Sequence, residues 1–153
     1  MSDERTSERG RTVGLRLEGD RLIFFDSTAG PLSGVRRGLE AGRLDAAALE
    51  RAIAEVEDLI MPMIRSLPRT AELVVSGSEL AEVLALLPAD AGGGVSIESV
   101  ESLFNRLADV AAGSPVAWRQ AAAPGRVALG LVVLREVMHH GGFRSVSLLG
   151  DTS

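Results

Sequence analysis

The chain has 153 residues, of which 46% are hydrophobic and 24% charged, the composition of one globular domain rather than of a disordered or fibrous polypeptide. A formal charge of -5 without any clustered stripe of lysine and arginine argues against a nucleic-acid partner, whose phosphates demand one. Cysteine is absent, which excludes disulfides, thiolate metal sites and thiol nucleophiles.

Residues 1–11, MSDERTSERGR, are polar with mixed charge and lack the apolar core of a signal peptide. They read as a frayed tail in front of a domain over residues 12–153. The longest apolar run, residues 127–134, is far short of the ~20 residues needed to span a membrane, so the expectation is a soluble, cytoplasmic protein.

Val13, Leu15 and Leu17 alternate with Gly14 and Arg16, and Glu18-Gly19-Asp20 interrupts before Leu22-Ile23-Phe24-Phe25. This pattern predicts a β-hairpin. Residues 27–42, rich in glycine, serine and proline around Arg36 and Arg37, read as a loop or a weak third strand followed by a turn. Asp45 stands as an N-cap before Leu49, Ile53, Val56, Leu59, Ile60, Met63 and Ile64, whose spacing predicts a long helix with one face on a sheet. Pro62 is expected to bend or stop it near its end.

Glu72-Leu73-Val74-Val75 reads as a short strand, Ser76-Gly77-Ser78 as a tight turn, and Leu80, Val83, Leu84 and Leu87 as one face of a helix closed by Pro88. Residues 89–94, with Gly92-Gly93-Gly94, read as a flexible connection. Ser96 caps a further helix through Val100, Leu103, Phe104, Leu107 and Val110, and Gly113-Ser114-Pro115 ends it. An apolar helix over 126–140 runs to Gly141-Gly142, and residues 144–149 form a closing strand. The order predicts an α/β fold, a mixed β-sheet with helices packed on it, as in a single ribonuclease-H-like lobe.

Several stretches, taken in order, resemble the second lobe of Ppx/GppA exopolyphosphatases, within the sugar-kinase, actin and Hsp70 superfamily. They are Leu32-Ser33-Gly34-Val35-Arg36-Arg37, then Val74-Val75-Ser76-Gly77-Ser78, then Val95-Ser96-Ile97-Glu98-Ser99-Val100, then Pro124-Gly125-Arg126-Val127 with the apolar helix behind it, then Gly142-Phe143-Arg144-Ser145-Val146-Ser147-Leu148. The resemblance covers residues 12–149 and implies the lobe fold. The sequence also departs from the family. The D-x-G-G-G-S turn that cradles phosphate through backbone amides has its place taken by the tail ending at Gly10-Arg11, so the lobe is expected to have lost its first strand. Ala128 stands where the family's P-x-R-[AV]-D segment has its aspartate. The 153 residues hold one lobe, whereas phosphoryl transfer in a cleft needs groups on both walls.

Two readings follow. One is a non-catalytic module binding a protein or a phosphate-bearing ligand such as polyphosphate or a nucleotide. The other is half of a split exopolyphosphatase or guanosine pentaphosphate phosphohydrolase, a phosphoric anhydride hydrolase completed by a separate first-lobe chain and using magnesium. The exposed sheet edge left by the missing strand makes a homodimer or a first-lobe protein the expected partner. For phosphate the candidates are Ser76, Gly77 and Ser78, at a turn feeding a helix N-terminus, and Arg36, Arg37 and Arg126. The competing account of the turn is a capping box of Ser76 with Glu79, and of the arginines plain solvated loop positions. No catalytic residue is assigned, and no histidine stands in a recognisable relation to a serine nucleophile. His139-His140 invites a metal, but neighbouring helical residues diverge and no cysteine or other histidine completes a set. Both are instead expected to close the helix beside its negative dipole end; no metal or cofactor is expected. Trp118 reads as a core anchor.

Overall fold

The computed structural model of the chain describes residues 12–18, 21–24, 27–31, 46–65, 67, 72–111 and 124–149. In chain order these form β1 (Val13–Glu18), β2 (Arg21–Phe24), β3 (Ser27–Pro31), α1 (Ala46–Ile64), β4 (Glu72–Ser76), α2 (Ser78–Ala85), β5 (Val95–Ser96), α3 (Ile97–Ala111), α4 (Pro124–Gly141) and β6 (Ser145–Leu148). The strands make one mixed sheet in the order β3-β2-β1-β4-β6-β5. β1, β2 and β3 are an antiparallel meander, β4 and β6 lie parallel to β1 and to each other, and β5 returns antiparallel along β6. This is the expected α/β lobe.

The alternation of the strands decides which face the helices cover. Val13, Leu73, Val146 and Val95 stand in one register row across four strands, and Phe24, Leu15 and Val75 in another; all seven are buried. The other face of β1 carries the exposed Arg16 and Glu18, and Val74, Ser145 and Ser147 on their neighbours are half-buried. Apolar side chains at every second position therefore put one face of the sheet on the core, the arrangement antiparallel and mixed sheets adopt when one side is left to water.

The expected loss of the first strand does not occur. β1 is interior, hydrogen-bonded to β2 on one side and β4 on the other, and the sheet's edges are β3 and β5. A pairing edge beside β1 is accordingly absent. The hairpin extends into a third strand, Ser27–Pro31, with a register shift between Leu22 and Ile23.

α4 is the centre of the helical layer. It packs against α1, α2 and α3, and Val127 through Leu134 are all buried, so this stretch of the helix is apolar all round as a core helix should be. Gly130 lets α2 approach: a Cβ there would stand 3.0 Å from Val83 and 3.3 Å from the Glu79 carbonyl oxygen. α4 ends at Gly142, with φ +74°, where the Phe143 amide donates to the Met138 carbonyl at 3.0 Å. That left-handed residue and six-to-one bond form a Schellman stop. Ser96 caps α3 as its sequence suggests: the Ser99 amide donates to Ser96 Oγ at 3.1 Å. α1 runs through Pro62 to Ile64, so the proline lies inside the last turn instead of ending it.

The triple glycine is a built turn rather than a loose connection. The Asp90 carboxylate accepts from the amides of Gly92 and Gly94, both at 2.9 Å, and the Asp90 amide donates to the Gly94 carbonyl at 2.8 Å. Among the described residues no helix is long and apolar enough to cross a membrane. Residues 1–11, Arg36, Arg37, Asp45, residues 113–115 and Trp118 lie outside the described residues.

Candidate functional site

Of the six candidate phosphate-binding residues, Ser76, Gly77 and Ser78 fall together where β4 passes into α2, beside the end of β1; Ser76 is in register with Arg16. Arg36 and Arg37 lie outside the described residues, and Arg126 lies in the first turn of α4. The turn has no capping box. Gly77 itself is the N-cap of α2, and no side chain caps it, because Ser76 is still in the strand and the helix begins one residue later than the spacing with Glu79 requires.

Gly77 has φ +107°, and a Cβ on it would stand 2.3 Å from the Leu17 carbonyl oxygen. The glycine is fixed by the approach of the turn to β1, a structural reason that stands without an anion. Glu79, buried in the first turn of α2, already brings a negative side chain to the positive end of the helix dipole. Ala128 is fully buried in α4 and belongs to the core.

A second constellation lies at the other end of the sheet. Three residues link α4 to β6, so the C-terminal end of α4 stands where the parallel strands begin, whereas Ser76, Gly77 and Ser78 stand where they finish. The apolar face of α1 that buries Val56 and Ile60 sets Glu57 beside α4. In α4, Glu136 and His140 are one turn apart and share a face. His140 Nε2 lies 2.9 Å from Glu57 Oε2 and 3.2 Å from Glu136 Oε1. With carboxylate oxygens on both sides, that nitrogen carries the ring proton.

Glu136 is fully buried, and Arg135 Nη1 donates to its Oε2 at 2.6 Å while the guanidinium lies 4.8 Å over the Phe104 ring. A carboxylate is tolerated in such a place only with partners of this kind. The hydrogen bond from His140 holds the Glu57 carboxyl below the usual carboxylate range, outweighing the partial burial that raises it. His139 has a different partner, with Nδ1 3.6 Å from Glu101, although its ring meets that of His140 edge-on with centroids 5.1 Å apart.

Glu57, Glu136 and His140 can each offer one ligand atom, all within 4.8 Å of one another. Counting only cysteines and histidines missed this set. One half of it is visible in the sequence, as a glutamate inside an apolar helix with a histidine four residues on. The other half is not, since Glu57 lies 83 residues from His140. Beside His140 opens a cleft of about 260 Å³ lined in part by Met61, Ile64, Arg65 and Phe143.

No family model matches the chain, and no curated protein matches it by sequence. Among solved structures it is similar to a PPX-GPPA enzyme of Aquifex aeolicus, with a TM-score of 0.61 at 8% identity over 91% of this chain and 53% of that one. The chain thus spans about half the length of that enzyme and shares the fold of one of its lobes.

Proposed function

We propose that this protein is a single-lobe, non-catalytic relative of Ppx/GppA phosphatases that acts as a binding module for a protein partner or a phosphate-bearing ligand. The observation that carries the reading is the extent of the fold likeness, 91% of this chain against 53% of the enzyme. A cleft reaction draws its positioning and charge stabilisation from groups on both walls, and the lobe formed by these residues corresponds to one wall, which retains a binding surface. The buried Ala128 supports the same reading, since by the sequence resemblance it stands where the family has an aspartate.

On this reading the ligand meets the end of the sheet at Ser76, Gly77 and Ser78, where the α2 dipole favours an anion, helped by Arg36, Arg37 and Arg126. Glu79 in the same turn opposes a highly charged phosphate, so affinity for a free anion is expected to be weak. A homodimer would join through β3 or β5, the edges the sheet has. The second reading, half of a split phosphohydrolase using magnesium, is favoured by the same half-length match.

The test is titration of the purified chain with polyphosphate and with guanine nucleotides, followed by Trp118 fluorescence, beside an assay of phosphate release with magnesium. Saturable binding without release supports the module. Release by the chain alone overturns it, and release only after a separate first lobe is added moves the assignment to the split enzyme. Light scattering determines whether the chain pairs with itself.

A further inference from the structure

We propose that Glu57, Glu136 and His140 form a binding site for one divalent first-row transition ion, with Zn²⁺ as its ligand of choice, at the end of the sheet opposite the Ser76–Ser78 turn. Three donors from two helices converge there: Oε2 of Glu57, Oε1 of Glu136 and Nε2 of His140. The geometry is poorly served by a proton. One N–H on His140 faces two carboxylate oxygens, at 2.9 and 3.2 Å, and can point well at only one of them. A cation in place of that proton bonds to all three atoms together.

The donor set is one imidazole nitrogen and two carboxylate oxygens. Ca²⁺ and Mg²⁺ prefer oxygen throughout, whereas a nitrogen in the set favours Zn²⁺ and its neighbours. Bonds of about 2.0–2.2 Å put donors on one ion roughly 3–4 Å apart. The existing spread of at most 4.8 Å closes with a small rotation of the Glu57 carboxylate, whose side chain is 40% exposed.

The surroundings are those of a held site rather than of a surface acidic patch. Glu136 is fully buried, and Arg135 grips its other oxygen at 2.6 Å, leaving Oε1 directed at the site. An outer partner of this kind orients a ligating carboxylate. A histidine ligates through a deprotonated nitrogen, so two carboxylates, one arginine and the ligating ring would leave a single negative charge, which suits a divalent cation. Three protein ligands leave room for water or for a ligand entering from the cleft of about 260 Å³ beside His140.

His139 and His140 are the two histidines of the chain, so the test uses tag-free protein. Zn²⁺ is titrated by calorimetry and Co²⁺ by its visible d–d absorption, into the wild-type chain and the H140A, E57Q and H139A variants. The expected result is one ion per chain, weakened at least about tenfold in H140A and in E57Q and unchanged in H139A; tenfold is the lower end of what losing a residue that merely orients a ligand costs. E57Q decides the matter if H140A does not fold, since Glu57 is half-exposed and its amide keeps the shape. Failure of the folded wild-type chain to bind either ion overturns the proposal. So does an E57Q variant that binds as wild type, or an H139A variant weakened as much as H140A.

Discussion

The carbonyl oxygen of Leu17 lies where the side chain of residue 77 would begin: a Cβ on Gly77 would stand 2.3 Å from it. The backbone of this turn also has φ +107°, a region that costs other residues about 1–3 kcal/mol. Strain and overlap act together, and the obstacle is backbone that cannot swing aside. Gly77→Ala is therefore expected to destabilise the fold by about 2 kcal/mol or more, read as a lower urea midpoint with an unchanged m-value. A change under about 0.5 kcal/mol, the range of ordinary surface substitutions, would show that the turn is not pinned to β1.

Ser96 Oγ is the acceptor for the Ser99 amide at the start of α3. Ser96→Ala removes it and is expected to cost about 1 kcal/mol, while Ser96→Asp, which restores an acceptor and adds a charge favourable to the dipole, recovers most of that loss. Thermal unfolding of the two variants checks the pair. Equal losses in both would mean that Ser96 acts through β5 pairing with β6 rather than as a cap.

How much of this was legible in the sequence follows from which interactions are local. β1 was written in the alternation of Val13, Leu15 and Leu17, and α1 in the spacing of Leu49, Val56 and Ile60, because burial on one face leaves its period in the chain. β3 was half-legible, as Ser27–Pro31 has no apolar alternation and is a strand by virtue of pairing with β2. The Ser76 capping box failed because the strand continues one residue further than propensity suggests, which moves the cap to Gly77. The interior position of β1 and the convergence of Glu57 on His140 are long-range facts with no local signature. A glutamate at position 136, close behind the apolar run of residues 127–134, is the exception: a buried charge must have partners, and that alone marks the place.

Asp90 organises the glycine turn with two hydrogen bonds from the Gly92 and Gly94 amides to one oxygen. Asp90→Ala is expected to speed amide hydrogen exchange at Gly92 and Gly94 and to expose residues 90–94 to proteolysis. Global stability should fall by no more than about 1 kcal/mol, since the turn is exposed and hydrogen bonds of this kind contribute modestly. Unchanged exchange at both glycines would contradict the assigned role of the carboxylate.

Arg135 and Glu136 are adjacent in sequence, and their side chains are bonded at 2.6 Å with Glu136 fully buried and Arg135 26% exposed. Removing the arginine leaves a buried carboxylate that keeps its contact with His140. Losing one partner of a buried pair typically costs about 3–5 kcal/mol, yet replacing both partners with apolar residues of similar volume is often neutral. Because His140 remains, Arg135→Met is expected to cost about 2–3 kcal/mol, at or below the low end of that range. The Arg135→Met, Glu136→Met double variant should recover most of it, with a coupling of about 1–3 kcal/mol in a double-mutant cycle. Urea unfolding of the four proteins gives the cycle directly. Additive losses would mean that Arg135 stabilises chiefly by stacking its guanidinium on Phe104, 4.8 Å away, and that the glutamate keeps its charge in the core through His140.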